Sequence, residues 1–193
     1  MKKSFFILLI ITLLFSCSKI NLNDTIFIHD RNDYNLPAYT EMGYNSFGAQ
    51  YERDYFLVSQ KIVPCKILYK DENLHFALSG TIRDDQEMTL TFVFPSEKMN
   101  DYSDLLQLND IIINTVDDEC IIIMKQGNIE TTLENCIGWI HFKRAQMLTI
   151  DDEANRVILS GFFALTFLEN GFPVDISNGR FDVGITDKVF YAY

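Results

Sequence analysis

Four cysteines, three histidines and three acidic runs are the side chains of this 193-residue chain best suited to chemistry. A nucleophilic site needs a serine or cysteine, a base and an orienting acid brought together. His29, His75 and His141 fall in different segments, and Ser79-Gly80 and Ser160-Gly161 sit inside strand-like stretches rather than at a sharp turn. Cys65, Cys120 and Cys136 lack the C-x-x-C spacing of a zinc or redox site. The acidic runs are Asp84-Asp85, Asp117-Asp118-Glu119 and Asp151-Asp152-Glu153. Their oxygens suit calcium, but none follows the D-x-[DN]-x-[DN]-G loop, and each stands where a hairpin should turn. Those turns are also all that favours a paired-carboxylate glycosidase. The expectation is a non-enzymatic chain with no catalytic set, no metal and no cofactor, and a hydrolase is a distant third reading.

One strand offers a different chemistry. Trp139 is the single tryptophan and lies in Ile137 to Lys143. If the odd-numbered side of that strand faces outward, Trp139, His141 and Lys143 share a surface, and a flat ring there could stack on the apolar face of a sugar. Ile137 shares the same side, which favours a Trp139 packed away from water.

The N-terminus supplies the fourth cysteine. Lys2 and Lys3 precede an eleven-residue apolar run, Phe5 to Phe15, followed by Ser16 and Cys17. A bilayer-spanning helix needs about 20 residues, so the run has the length of a signal-peptide core. Leu14-Phe15-Ser16-Cys17 resembles the lipobox of bacterial lipoproteins, whose cysteine is acylated before cleavage. Residues 1–16 are thus expected to be a signal peptide, with the chain held to the membrane by lipid on Cys17. Cleavage there leaves 177 residues carrying 14 basic and 27 acidic side chains, a formal charge of −13. That charge repels nucleic acid and anionic lipid surfaces. An export route permits disulfides, but three cysteines cannot all pair within one chain, and a Cys120–Cys136 bridge is left open.

The elements that would position these residues are mostly strands. Residues 17–39 read as acylated cysteine and flexible tether, rich in Asn and Asp. Residues 40–193 read as one domain. Leu74, Phe76, Leu78 and Ile82 alternate with His75, Ser79, Thr81 and Arg83, and Met88, Leu90, Phe92 and Phe94 alternate with Thr89 and Thr91. The two stretches predict a hairpin with one dry face. Further strands are expected at 110–116, 120–125, 129–133, 137–143, 147–150, 174–176, 180–185 and 189–193. Val157 to Phe167 is apolar on both sides and reads as the central strand, with Gly161 permitting a bend or close approach. Only Asp101 to Leu108 has helical character, capped by Asn100 or Ser103. The fold class is mainly β: an antiparallel sandwich or partly open barrel of about ten short strands with at most one short helix.

Two stretches carry a resemblance. Thr40 to Gln50 reads TEMGYNSFGAQ, and SGFFALTF (Ser160 to Phe167) leads into SNGRFDVGI (Ser177 to Ile185). Together they resemble a family of small Bacteroidetes lipoproteins known as a domain of unknown function, with a T-x-x-G-x-N-x-F-G-A segment soon after the lipobox. Tyr51-Glu52-Arg53-Asp54 departs from that family's hydrophobic-Asn-Gly turn. The resemblance implies a mostly β fold and an outer-membrane lipoprotein on the periplasmic or surface face, and it supplies no reaction. Gly43, Gly48 and Gly179 suit turns, and Phe47, Phe163 and Phe181 suit a core. Two functional classes follow: a binding module for a glycan, peptide or envelope protein, or an accessory envelope subunit with no small-molecule site.

Overall fold

The structure is a computed structural model that describes residues 24–83, 85–150 and 153–193. The lipobox with Cys17, and Asp84, Asp151 and Asp152 of the acidic turns, lie outside the described residues. The expected architecture is present: one unclosed sheet, antiparallel but for one pairing, and a single short helix among the described residues. Twelve strands build it: β1 (Ser46–Tyr51), β2 (Asp54–Val58), β3 (Cys65–Lys70), β4 (Asn73–Ile82), β5 (Gln86–Pro95), β6 (Ile111–Asn114), β7 (Ile121–Gln126), β8 (Ile129–Thr132), β9 (Ile137–Ile150), β10 (Glu153–Glu169), β11 (Phe172–Ile185) and β12 (Phe190–Ala192). Their order is β6-β9-β10-β11-β1-β2-β4-β5-β7-β8, and β3 branches from β4 with β12 parallel at its far side.

The sheet curls on itself. From β9 to β4 is five strand spacings, roughly 24 Å if the sheet were flat. Yet the Phe76 ring of β4 lies 5.2 Å from Phe142 of β9 and 5.1 Å from Phe181 of β11. Phe92 of β5 meets Phe163 of β10 at 5.6 Å. The alternation seen in β4 and β5 therefore packs one half of the sheet over the other, and the buried phenylalanines fill the gap. Each such ring is worth about 1.5–3 kcal/mol of burial.

Several elements depart from their expected form. The three C-terminal hairpin strands are long, at 14, 17 and 14 residues, because β9 and β11 run through polar stretches that read as breaks. Shifts in register absorb them, between Ser160 and Phe162 against β9 and between Phe163 and Leu165 against β11. The β10–β11 turn is Asn170-Gly171, both at positive φ (52° and 82°), and Phe172-Pro173 already belong to β11. Glu52 takes φ 55° and closes the β1–β2 hairpin in the place of Asn or Gly. The helix is a 3₁₀ segment, Tyr102–Leu108, capped by Asp101 rather than Asn100 or Ser103. The Asp101 carboxylate accepts the Ser103 N–H at 2.7 Å.

The largest departure is at the start. The tether expected to reach residue 39 is, from Ile26 onward, a strap across the outer face of β9, β10, β11 and β1. Ile26 N–H donates to Tyr44 O at 2.8 Å, and Ala38 N–H donates to Ile28 O at 2.6 Å. Leu36 is 0 % exposed, and Tyr39 stacks on Phe162 with centroids 4.4 Å apart. Arg180 pairs with Asp30 at 2.9 Å. The polar composition that suggested a loose segment is used locally, since Asp30 accepts the N–H groups of Asn32 and Asp33 at 2.8 and 3.1 Å. The strap is also the second cover over β10, whose residues Arg156 to Gly161 are all buried.

Candidate functional site

Alternation along β9 decides which side chains reach water. Ile140 and Phe142 turn inward and are fully buried, so Ile137, Trp139, His141 and Lys143 turn outward together. Trp139 is 38 % exposed and Ile137 is 66 % exposed. Trp139 is thus partly exposed where packing away from water was expected, and among the described residues the strap crosses the outer face farther along β10, at Phe162. Edge strand β6 sets Asn114 beside Trp139 and Ile112, also exposed, beside His141.

Asp110 joins the group from the turn before β6. It sits at φ 61°, and one carboxylate oxygen accepts from Lys143 Nζ at 3.0 Å and lies 3.1 Å from His141 Nε2. Hydrogen bonds from Lys143 and then His141 hold the Asp110 carboxyl below its usual range. On the other side of Trp139 the face continues over β10 and β11 as an open groove of about 420 Å³. Ala164, Thr166, Asp175 and Ser177 line it, and Thr166 Oγ1 donates to Asp175 at 2.7 Å. The result is a half-exposed indole with an ion-paired cluster on one flank and hydroxyl and carboxylate groups on the other. Such a surface can stack a flat apolar face and orient its polar substituents.

The sequence reading grouped Trp139, His141 and Lys143 and the structure keeps them on one face, but Asp110, Thr166 and Asp175 went unnoticed. Asp110 is 31 positions from His141, and only the β6–β9 pairing brings the two together. The other candidate groups do not converge. His29 stacks on Tyr34 in the strap, His75 stands on β4, and Ser160 Oγ donates to buried Asp182 at 3.1 Å. Asp118 accepts from the Asn114 N–H at 2.6 Å, which is turn chemistry. Among the described residues no group of three or more His, Cys, Asp or Glu could hold a metal ion.

A larger hollow of about 780 Å³ lies between the β2–β3 loop and the β11–β12 turn, lined by Asp24, Lys61, Val63, Cys65 and Lys188 among others. Cys65 is buried, and that burial pushes its thiol up, the opposite of what a reactive cysteine requires.

Fold and face together define a mainly β protein whose open, curled sheet presents Trp139 on its outer face. No protein-family model matches the chain, and a search of curated proteins and of solved structures finds no significant match.

Proposed function

We propose that this protein is an outer-membrane lipoprotein, anchored through Cys17, whose Trp139 face is a non-catalytic binding surface for a glycan, peptide or envelope protein. The observation that carries the binding role is the exposed indole set between the Asp110–His141–Lys143 cluster and the Thr166–Asp175 pair. A lone exposed apolar residue needs no explanation. Here Ile112, Ile137 and Trp139 are exposed on adjoining strands with polar groups around them. The anchor rests on the Lys2-Lys3, apolar run and Cys17 order of the N-terminus.

Trp139 is the only tryptophan, so its emission reports on this face alone. Titration with host and cell-wall glycans should give a saturable emission change with one class, and Trp139→Ala should abolish binding. The same ligand at 100 times its Kd should add about 2.7 kcal/mol to stability. No saturable change and no thermal shift with any glycan or peptide would move the reading to an accessory subunit lacking a small-molecule site. The anchor has a separate test. Cys17→Ala should release the protein from the membrane fraction, and unchanged retention would remove the lipoprotein reading.

A further inference from the structure

Cys120 immediately precedes β7 and Cys136 stands between β8 and β9, and the register of the β7–β8 hairpin brings Cys120 beside the neighbour of Cys136. The ladder runs from Gln126↔Ile129 to Ile123↔Thr132 and continues as the Leu133 N–H to Ile122 O bond at 2.8 Å. Extending it by two residues sets Cys120 level with Asn135, the neighbour of Cys136. Asn135 is in the left-handed conformation (φ 52°) and turns the chain there toward β9. Ile122 and Leu133 are both buried, so the next like-facing position, Cys120, points to the same interior side, where it too is buried. Cys136 packs against that same core from a half-buried position. The residue directly opposed to Cys120 on this register is Asn135, at the roughly 4.5–5.5 Å of an antiparallel pair, and Cys136 follows it by one position at the turn. Their proximity is also felt electrostatically: burial first, and the charge of Cys136 second, push the Cys120 thiol up to about 12.

We propose that Cys120 and Cys136 are an oxidisable pair that forms an intramolecular disulfide across the open end of the β7–β8 hairpin. The pair fits what it would hold. Strand β8 is the outer edge of the sheet and all four of its residues are exposed, so among the described residues no further strand pairs with the hairpin from outside. The oxidant is an exogenous disulfide, either a small-molecule disulfide or the disulfide form of a thiol oxidoreductase. The Cys136 thiolate, the more accessible of the two, attacks one sulfur of that disulfide and releases one donor thiolate, which takes up a proton. Cys120 then loses its proton to water, and its sulfur attacks the Cys136 sulfur of the mixed disulfide, releasing the second donor thiolate. Two protein thiols are oxidised and one external disulfide is reduced to two thiols. An exported location would supply such an oxidant, but the chemistry of the pair is independent of the Trp139 surface and of the anchor.

The test uses the full chain carrying Cys17→Ala, which leaves three thiols. The folded protein is equilibrated in glutathione buffers of increasing oxidised-to-reduced ratio, acid-quenched, alkylated in denaturant and mapped by mass spectrometry. The expected product is a peptide linking Cys120 to Cys136, with Cys65 alkylated. Its unfolding midpoint should rise by several degrees and return on adding reductant. Cys136→Ser should abolish both the link and the rise, and leave the reduced midpoint unchanged. Alkylation of both cysteines at every ratio would overturn the proposal, as would separate glutathione adducts on them. A bridge from either one to Cys65 would overturn it as well.

Discussion

Asp182→Ala should lower the unfolding free energy by about 3–5 kcal/mol, a range reached when one partner of a buried charged network is removed. Asp182 is 1 % exposed, toward the C-terminal end of β11. Its carboxylate accepts the Thr40 hydroxyl, the Gly43 N–H at 2.7 Å, the Met42 N–H at 3.1 Å, the Tyr44 N–H at 3.3 Å and the Ser160 hydroxyl at 3.1 Å. Three of these donors are consecutive main-chain amides of the strap, so one side chain fixes the path of a segment about 140 positions away in sequence. Truncation removes every acceptor at once and leaves the Gly43 amide and Ser160 hydroxyl buried beside a void. Asp182→Asn should cost less than alanine, yet still substantially. It keeps one acceptor oxygen and turns an NH₂ toward a site where the three main-chain amides can only donate, leaving just the Thr40 or Ser160 hydroxyl able to accept from it. Chemical denaturation read by linear extrapolation measures both. If the strap detaches while the sheet stays folded, the denaturant slope falls and protease cuts appear between residues 26 and 45. A loss below about 1 kcal/mol with an unchanged slope would mean that water satisfies these donors and that Asp182 does not hold the strap.

That network also explains which parts of the fold were legible. The stretches singled out in the sequence, Thr40 to Gln50 and then Ser160 to Phe167 with Ser177 to Ile185, meet in space. β1 lies beside β11 with Ser46 opposite Asp182, Phe47 opposite Phe181 and Gly48 opposite Arg180. Thr40 and Gly43 bind Asp182, and Asn45 accepts the Gly184 N–H at 3.0 Å. Their residue types have structural causes, but the sequence offered no sign that they answer one another. Strands β4 and β5 were readable because each has one dry face, and the period of two survives intact. Strand β9 was read as two pieces because Arg144, Ala145 and Gln146 interrupt its apolar pattern. Its pairing to β10 carries it through them. The strap was least legible of all. Its Asn and Asp residues make local turns that composition cannot distinguish from a loose chain, and the partners that order it, Asp182 and Arg180, belong to the last fifth of the sequence. The same limit applies at the candidate site. The period of two put Trp139, His141 and Lys143 together, while Asp110 depends on the pairing of an edge strand.

Gly161→Ala should be as damaging as the loss of Asp182, at about 3 kcal/mol or more, and its cause is backbone contact rather than a missing partner. Gly161 sits in the central strand at the shift in register between Ser160 and Phe162, where β10 is squeezed against β9. A Cβ there would come 1.9 Å from the His141 carbonyl oxygen and 2.8 Å from the Phe181 ring. No rotamer change moves a carbonyl, so β9 must shift as a unit or the bulge must be lost. Gly171→Ala is the matched control. It also adds one methyl, at φ 82°, but meets nothing within 4 Å. Its cost should be confined to the left-handed backbone, about 1–2 kcal/mol. The contact at Gly161 has a second consequence, because the displaced carbonyl belongs to His141. If the variant folds, the His141 ring shifts relative to Asp110 and the exposure of neighbouring Trp139 changes. Tryptophan emission of the native state should therefore move for Gly161→Ala and stay fixed for Gly171→Ala. Equal destabilisation with unchanged emission in both would place the strain of Gly161 elsewhere in the sheet and detach the central strand from the binding face.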